Sequence, residues 1–370
     1  MRIVVIDTAA SKTGALSVLN DFYEYVKTYE TMHDWIFLLS KPYLEETEHI
    51  KVIEISQVKK NWFERIRFDL ITGAGFVANL KPDVVFSLQN TLLRGYHGKQ
   101  VVYIHQPLGF QTEKNFSFLK RNEREYAIYQ HLIGKLINAS AKRADKVIVQ
   151  TKWMQQAVIK KTHAKAENVV NIMPDVESMG QPDPNTEHLS NLFFFPSGVM
   201  IYKNHECVLK ACDILNQRGI TDFKIVFTIS DLREVTDYRY AREDQTVKCL
   251  GQIDKEEVIA YYQKSVLLFP SYIETFGYPL AEARQFESLI VASDEPFCHE
   301  VLEGYQNAYY FNPFSPKELA DLMENIITGK IKRAEVVLKD QIVTEKLTQK
   351  TEQTTKKSSW AKVVEVIVNC

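Results

Sequence analysis

The chain has 370 residues, enough for about two domains and for a core that needs no disulfide or metal staple. Hydrophobic residues at 45% and charged residues at 25% argue against a disordered or fibrous chain, and a net charge of −2 lacks the basic excess of a dedicated nucleic-acid binder. No apolar run nears the ~18 residues that cross a bilayer, and the opening MRIVVIDTAAS is too short in apolar residues for a signal peptide. Cys207, Cys212, Cys249, Cys298 and Cys370 are scattered and odd in number, so a reducing, cytoplasmic compartment is expected, with neither a disulfide framework nor a zinc site.

The first apolar run, residues 2–7, reads as a buried strand. A small-residue loop over 8–14 and a helix over 15–29 follow. Further strands are predicted at 35–40, 52–55, 83–88, 101–105, 146–150 and 169–173, with helices at 62–80, 115–142 and 152–161 between them. Continuous apolar strands alternating with helices predict a parallel sheet covered on both faces. Residues 175–190, rich in proline and acids, read as a linker between domains. The rhythm then restarts with strands at 192–196, 223–229, 247–250, 266–270 and 289–293, and with helices from 204, over 255–264, from 279 and over 316–327. The expected fold class is α/β: two doubly wound, Rossmann-like domains, 1–174 and 191–340, facing each other across a cleft. Open parallel sheets bind ligands beyond the carboxyl ends of their strands, so the loops that follow strands are the places to look.

The richest of these loops lies in VLLFPSYIETFGYPLAEARQF, residues 266–286. A strand ends at Pro270, the loop carries Glu274-Thr275-Phe276-Gly277, and Pro279 stands where a first helical residue belongs, at no cost in hydrogen bonding. The amides of 275–280 are then expected to face the cleft as a seat for phosphate. Gly277 lets backbone approach a ligand closely. Glu282 falls in the first helical turn, so that one carboxylate reaches sugar hydroxyls and the other a ribose. These residues form a Glu-x7-Glu pattern within P-S-x-x-E-T-F-G-x-P-x-x-E-A, and here the sequence resembles the retaining family 4 glycosyltransferases of the GT-B fold. The resemblance extends to Ala292-Ser293-Asp294, Glu300-Val301, Asn307-Ala308 and Phe311-Asn312-Pro313. It implies that Glu274 sits by the donor sugar and that Glu282 binds the nucleotide ribose. Thr275, Phe276, Gly277 and Tyr278 line the donor with them.

Lys203, in Lys203-Asn204-His205, lies between a strand and a helix, where an ammonium neutralises charge on a departing diphosphate. The family pairs an arginine with this lysine. Gly198 stands at the arginine's place, so Arg239, Arg242 and Lys248 are the cations that could replace it. His105 ends a predicted strand, and the resemblance gives it a hydrogen bond to the donor sugar. Gly14, after the first strand, resembles the family's glycine loop near the diphosphate, with Thr13 in place of a second glycine.

Gly73-Ala74-Gly75-Phe76-Val77-Ala78 matches a dinucleotide fingerprint but precedes a strand instead of following one, which makes it a helix-packing feature. No Asp-x-Asp occurs, so metal-free catalysis without a cofactor is expected. Basic and aromatic residues alternate over 59–67, and 120–124 is again basic, a composition that suits peripheral contact with an anionic membrane surface. By resemblance, the acceptor is a saccharide or a lipid-linked saccharide of the cell surface. Residues 341–370 resemble the terminal helix that crosses back to the first domain in GT-B enzymes. The expectation is a metal-independent hexosyltransferase that uses a nucleotide diphosphate sugar. Its rivals are a binding protein without turnover and a nicotinamide-dependent oxidoreductase.

Overall fold

The computed structural model describes residues 1–10, 13–59, 62–238, 240, 246–334 and 358–370. The chain divides into two compact units, Met1–Asp175 with Lys356–Cys370, and Val176–Thr355.

Unit 1 is a seven-stranded parallel sheet of β1 (Arg2–Asp7), β2 (Asp34–Leu39), β3 (Ile50–Glu54), β4 (Val84–Ser87), β5 (Lys99–Ile104), β6 (Lys146–Val149) and β7 (Val169–Asn171), in the order β3-β2-β1-β4-β5-β6-β7. The central strands are apolar on both faces because helices cover both. The helix Thr13–Tyr29 turns Leu19, Phe22, Tyr23 and Val26 onto Trp35 and Phe37, a spacing that keeps one stripe facing the sheet. It begins two residues earlier than expected, which puts Gly14 in its first turn.

The helix predicted over 62–80 is broken into Trp62–Arg67, a π turn at Phe68–Thr72 and Gly73–Asn79. Gly73 packs so closely that a Cβ there would lie 2.6 Å from the Phe68 carbonyl oxygen and 2.8 Å from Leu93 Cδ2, so this glycine serves packing. The helix predicted over 115–142 begins only at Arg124. Before it, the buried Glu123 carboxylate accepts from the Ser117 amide at 3.0 Å and pairs with Lys114 and Lys120, which holds the segment as a loop. The C-terminal helix Ser359–Val368 belongs to unit 1. Ser358 caps it, and Trp360 lies 5.1 Å from the Phe22 ring and 5.9 Å from Tyr103.

Unit 2 is a six-stranded parallel sheet of β8 (Leu192–Phe195), β9 (Lys224–Phe227), β10 (Val247–Cys249), β11 (Val266–Phe269), β12 (Ile290–Ser293) and β13 (Ala308–Phe311), in the order β10-β9-β8-β11-β12-β13. Phe193, Phe194, Phe195, Phe227 and Phe269 fill its core. Neither β13 nor the short helix Pro296–Val301 announces itself in the sequence: the first is a half-buried edge, the second a single turn and a half. The segment expected as a linker has no regular structure but is fastened to unit 2. The Met179 amide donates to Gln285 Oε1 at 3.1 Å, the Asp183 amide to Gln263 Oε1 at 2.7 Å, and Lys255 pairs with Glu177 at 2.8 Å.

Candidate functional site

In both sheets the strand order reverses direction once, between β1 and β4 and between β8 and β11. Loops leaving neighbouring strands at such a point diverge and open a crevice. In unit 2 those loops carry Lys203 and Glu274. Residues 71 positions apart meet there, with Lys203 Nζ 2.5 Å from Glu274 Oε1 and only 13% and 17% of the side chains exposed. An ammonium has three protons to donate, so Lys203 retains donors for a further acceptor. Asn204 fixes the pair from behind. Its backbone is left-handed at φ 66°, and its side-chain amide donates to the carbonyls of Pro270 at 3.2 Å and Pro313 at 2.8 Å. The Tyr272 amide donates to the Tyr202 carbonyl at 3.1 Å, a further tie between the same two loops.

Gly277 caps the helix Tyr278–Gln285 at φ 94°, a conformation that favours glycine, and Pro279 lies in its first turn, as the second helical residue where it was expected as the first. The row of amides expected over 275–280 is shorter, because Pro279 has none and the Leu280 amide donates to the Gly277 carbonyl at 3.0 Å. Phe276 is buried, its ring 5.0 Å from Tyr278, so it offers a ligand backbone and not side chain. Thr275 is half-buried and Tyr278 exposed. Glu282 is half-buried, and Oε2 accepts from the hydroxyl of the fully buried Tyr262 at 2.7 Å. Burial holds the Glu282 carboxyl above the ordinary carboxylate range, an effect the Tyr262 hydrogen bond and the Lys255 charge only partly offset. His205 is a core residue. Its ring packs between Phe195 and Phe227, Nε2 lies 3.1 Å from Ser197 Oγ, and burial, with the Lys203 charge, lowers its pKa to about 3.

In unit 1, His105 follows β5 and is tied to the loop after β4. Its amide donates to Asn90 Oδ1 at 2.7 Å, which leaves the Asn90 amide nitrogen to donate to His105 Nε2 at 3.1 Å. The imidazole is therefore neutral with its proton on Nδ1, and burial lowers its pKa to about 4. Nδ1 is buried without a partner among the described residues, so of the two nitrogens it is the one whose hydrogen bond is unspent. Gly14 lies beside Ser11 and Lys12, which fall outside the described residues, as do Arg239 and Arg242. Lys248 is exposed on β10. Sequence reading missed Asn204 and Tyr262 as supports. An asparagine between Lys203 and the helix start, a residue type that tolerates left-handed backbone, is a signal for the first, whereas nothing local marks the second. Among the described residues no three His, Cys, Asp or Glu side chains gather as a metal site, and no helix is long and apolar enough to cross a membrane.

Residues 182–339 match the family described as glycosyl transferases group 1. The O-antigen chain mannosyltransferase RfbU of Salmonella typhimurium is 23% identical over 76% of this chain and 83% of its own length. WaaG, a glycosyltransferase involved in lipopolysaccharide biosynthesis, superposes with a TM-score of 0.68 at 13% identity, covering all of both chains. Anabaena HepE in complex with UDP-glucose gives a TM-score of 0.59 at 16% identity over 94% of this chain and all of its own. The expected α/β fold class, with two doubly wound parallel sheets, is met in the GT-B architecture shared with these structures.

Proposed function

We propose that the chain, which shares the GT-B fold and matches the group 1 glycosyl transferases over residues 182–339, is a glycosyltransferase that transfers a hexose, with retention, from a nucleotide diphosphate sugar to a saccharide or lipid-linked hydroxyl. The observation that carries the reading is the convergence of Lys203 and Glu274 at the switch point of unit 2. A cation and a carboxylate held there serve the two ends of the bond that breaks. Lys203 meets the negative charge that grows on the leaving diphosphate, and Glu274 accepts from hydroxyls of the sugar. Glu282, one helical turn inside Tyr278–Gln285, takes the ribose. Thr275, Gly277 and Tyr278 surround the donor with the Phe276 backbone.

No carboxylate of the pair is placed as a nucleophile in this reading. The acceptor hydroxyl attacks from the face the diphosphate leaves, its oxygen bonding to the anomeric carbon as the carbon–oxygen bond to the diphosphate breaks. The proton passes to the departing phosphate oxygen. No metal takes part. The exposed Phe63 and Leu119, each beside basic residues, support contact with an anionic membrane face. The likeness to an O-antigen mannosyltransferase makes a mannosyl donor the first to try.

Thermal-shift screening with UDP-, GDP- and dTDP-sugars, followed by turnover on the donor that stabilises, tests the proposal. Glu282→Gln is expected to raise the donor KM more than it lowers kcat, because ribose contacts are alike in ground and transition states. Product with the donor's anomeric configuration, formed at undiminished rate in EDTA, supports retention without a metal. Inverted product, or loss of rate restored by Mg²⁺, refutes those parts.

A further inference from the structure

Unit 1 contains a cavity of about 220 Å³ that the donor reading does not use. It opens between the π turn Phe68–Thr72, the loop after β4 and the helix Gly134–Arg143. π turns widen a helix and recur at functional sites. This one turns Asp69 inward, where Oδ1 accepts from Gln89 Nε2 at 2.8 Å and Oδ2 from Thr91 Oγ1 at 3.0 Å. Gln89 in turn accepts from Thr8, and Ser140 Oγ accepts from the Leu92 amide at 3.0 Å. The floor is polar, but its hydrogen bonds close on themselves. Half-buried Ile66, Leu70 and Leu136 form apolar walls. At the mouth stand Arg94 and Arg143, both exposed, and neither guanidinium has a partner among the described residues.

Apolar walls under two unpaired guanidiniums are complementary to one kind of molecule. We propose that this cavity binds a single-chain phosphomonoester amphiphile, its alkyl chain between Ile66, Leu70 and Leu136 and its phosphate held by Arg94 and Arg143. A planar guanidinium grips phosphate with two parallel hydrogen bonds, and a floor already satisfied asks nothing of the chain. The site lies wholly in unit 1 and stands or falls independently of the donor site.

The test is calorimetric titration of the full chain with octyl phosphate below its micelle concentration, beside octanol and inorganic phosphate. Octyl phosphate is expected to bind saturably and at least about 10-fold tighter than either fragment. Arg94→Gln and Arg143→Gln should each weaken it by about 10-fold or more, on the scale of a lost charged hydrogen bond. Ala139 lines the cavity from an exposed helical position, so Ala139→Phe fills the space without disturbing the core and should abolish binding. Absence of saturable binding overturns the proposal. So does equal binding to the Ala139→Phe protein, or inorganic phosphate binding as tightly as the amphiphile.

Discussion

Lys203 and Glu274 act as a pair before they act on anything else. With both side chains largely withdrawn from water, removing one leaves the other's charge half-buried and unmatched. Lys203→Ala is expected to lower kcat/KM by roughly 10–150-fold, the worth of a charged hydrogen bond. Lys203→Arg should recover only part, because a planar fork does not replace a compact ammonium. The double variant with Glu274→Ala should lose less than the two single losses combined, since interacting residues couple by roughly 0.5–3 kcal/mol. Independent losses in that cycle would show that the contact is incidental. A second residue-scale prediction concerns Asp7, at the end of β1. Burial pushes its carboxyl from 3.8 up to about 7, against the pull of the Ala10 amide and the Arg65 charge. Below pH 3.8 both folded and unfolded chains are protonated there, and Asp7 costs nothing. Between that point and about 7 only the unfolded chain releases the proton, so stability falls as pH rises through the window. Asp7→Asn keeps the oxygen that accepts from Ala10 and removes the titration. The melting temperature of the variant relative to the parent should therefore be higher at pH 8 than at pH 5. A difference that does not change with pH would place the titration elsewhere.

At the scale of elements, the site is a matter of how two loops end and two helices begin. Gly277 adopts a left-handed backbone, and a Cβ there would meet Leu280 Cδ1 at 3.2 Å and Phe269 Cζ at 3.3 Å. Gly277→Ala should cost about 1–2 kcal/mol of conformational strain. It should also raise the donor KM, because the turn it distorts carries Glu274 on one side and Tyr278 on the other. Asn204 joins three loops with one side chain, yet it sits outside the reacting groups. Asn204→Ala should lower kcat while Lys203 remains, and Lys203→Ala made in that background should then cost less than in the parent. An unchanged Lys203 effect would mean that Asn204 only stabilises the fold. Calorimetry on each variant separates loss of position from loss of folding.

At the scale of the whole molecule, unit 1 is closed by the other end of the chain. Ser359 and Asp175 exchange hydrogen bonds, Asp175 Oδ2 accepting from the Ser359 amide at 2.5 Å, and Trp360 completes the aromatic group around Phe22. Trp360 is only partly buried, so Trp360→Ala should cost less than the roughly 3–5 kcal/mol of a fully buried ring. The loss should appear in the melting of unit 1, while a donor nucleotide sugar should still raise the melting of unit 2. Loss of donor stabilisation in that variant would contradict separate cores.

Period and spacing alone determined the two rounds of parallel sheet, because a strand covered on both faces must be apolar throughout and its helix must repeat every three to four residues. The loop after β11 was legible for the same reason: Glu274, Gly277, Pro279 and Glu282 lie within one strand–turn–helix unit, where local chain geometry fixes their relation. What lies far apart in sequence was decided only by the tertiary structure. No spacing announces that Tyr262 supports Glu282, that Asn90 sets the tautomer of His105, or that Lys203 meets Glu274 directly. The π turns at Phe68–Thr72 and Tyr129–Ile133 were equally hidden, since their residues are ordinary helix formers. Such features arise from side chains and close approaches of distant segments, as at Gly73 against Leu93. Periodicity records which face of an element is buried; it does not record what lies on the other side.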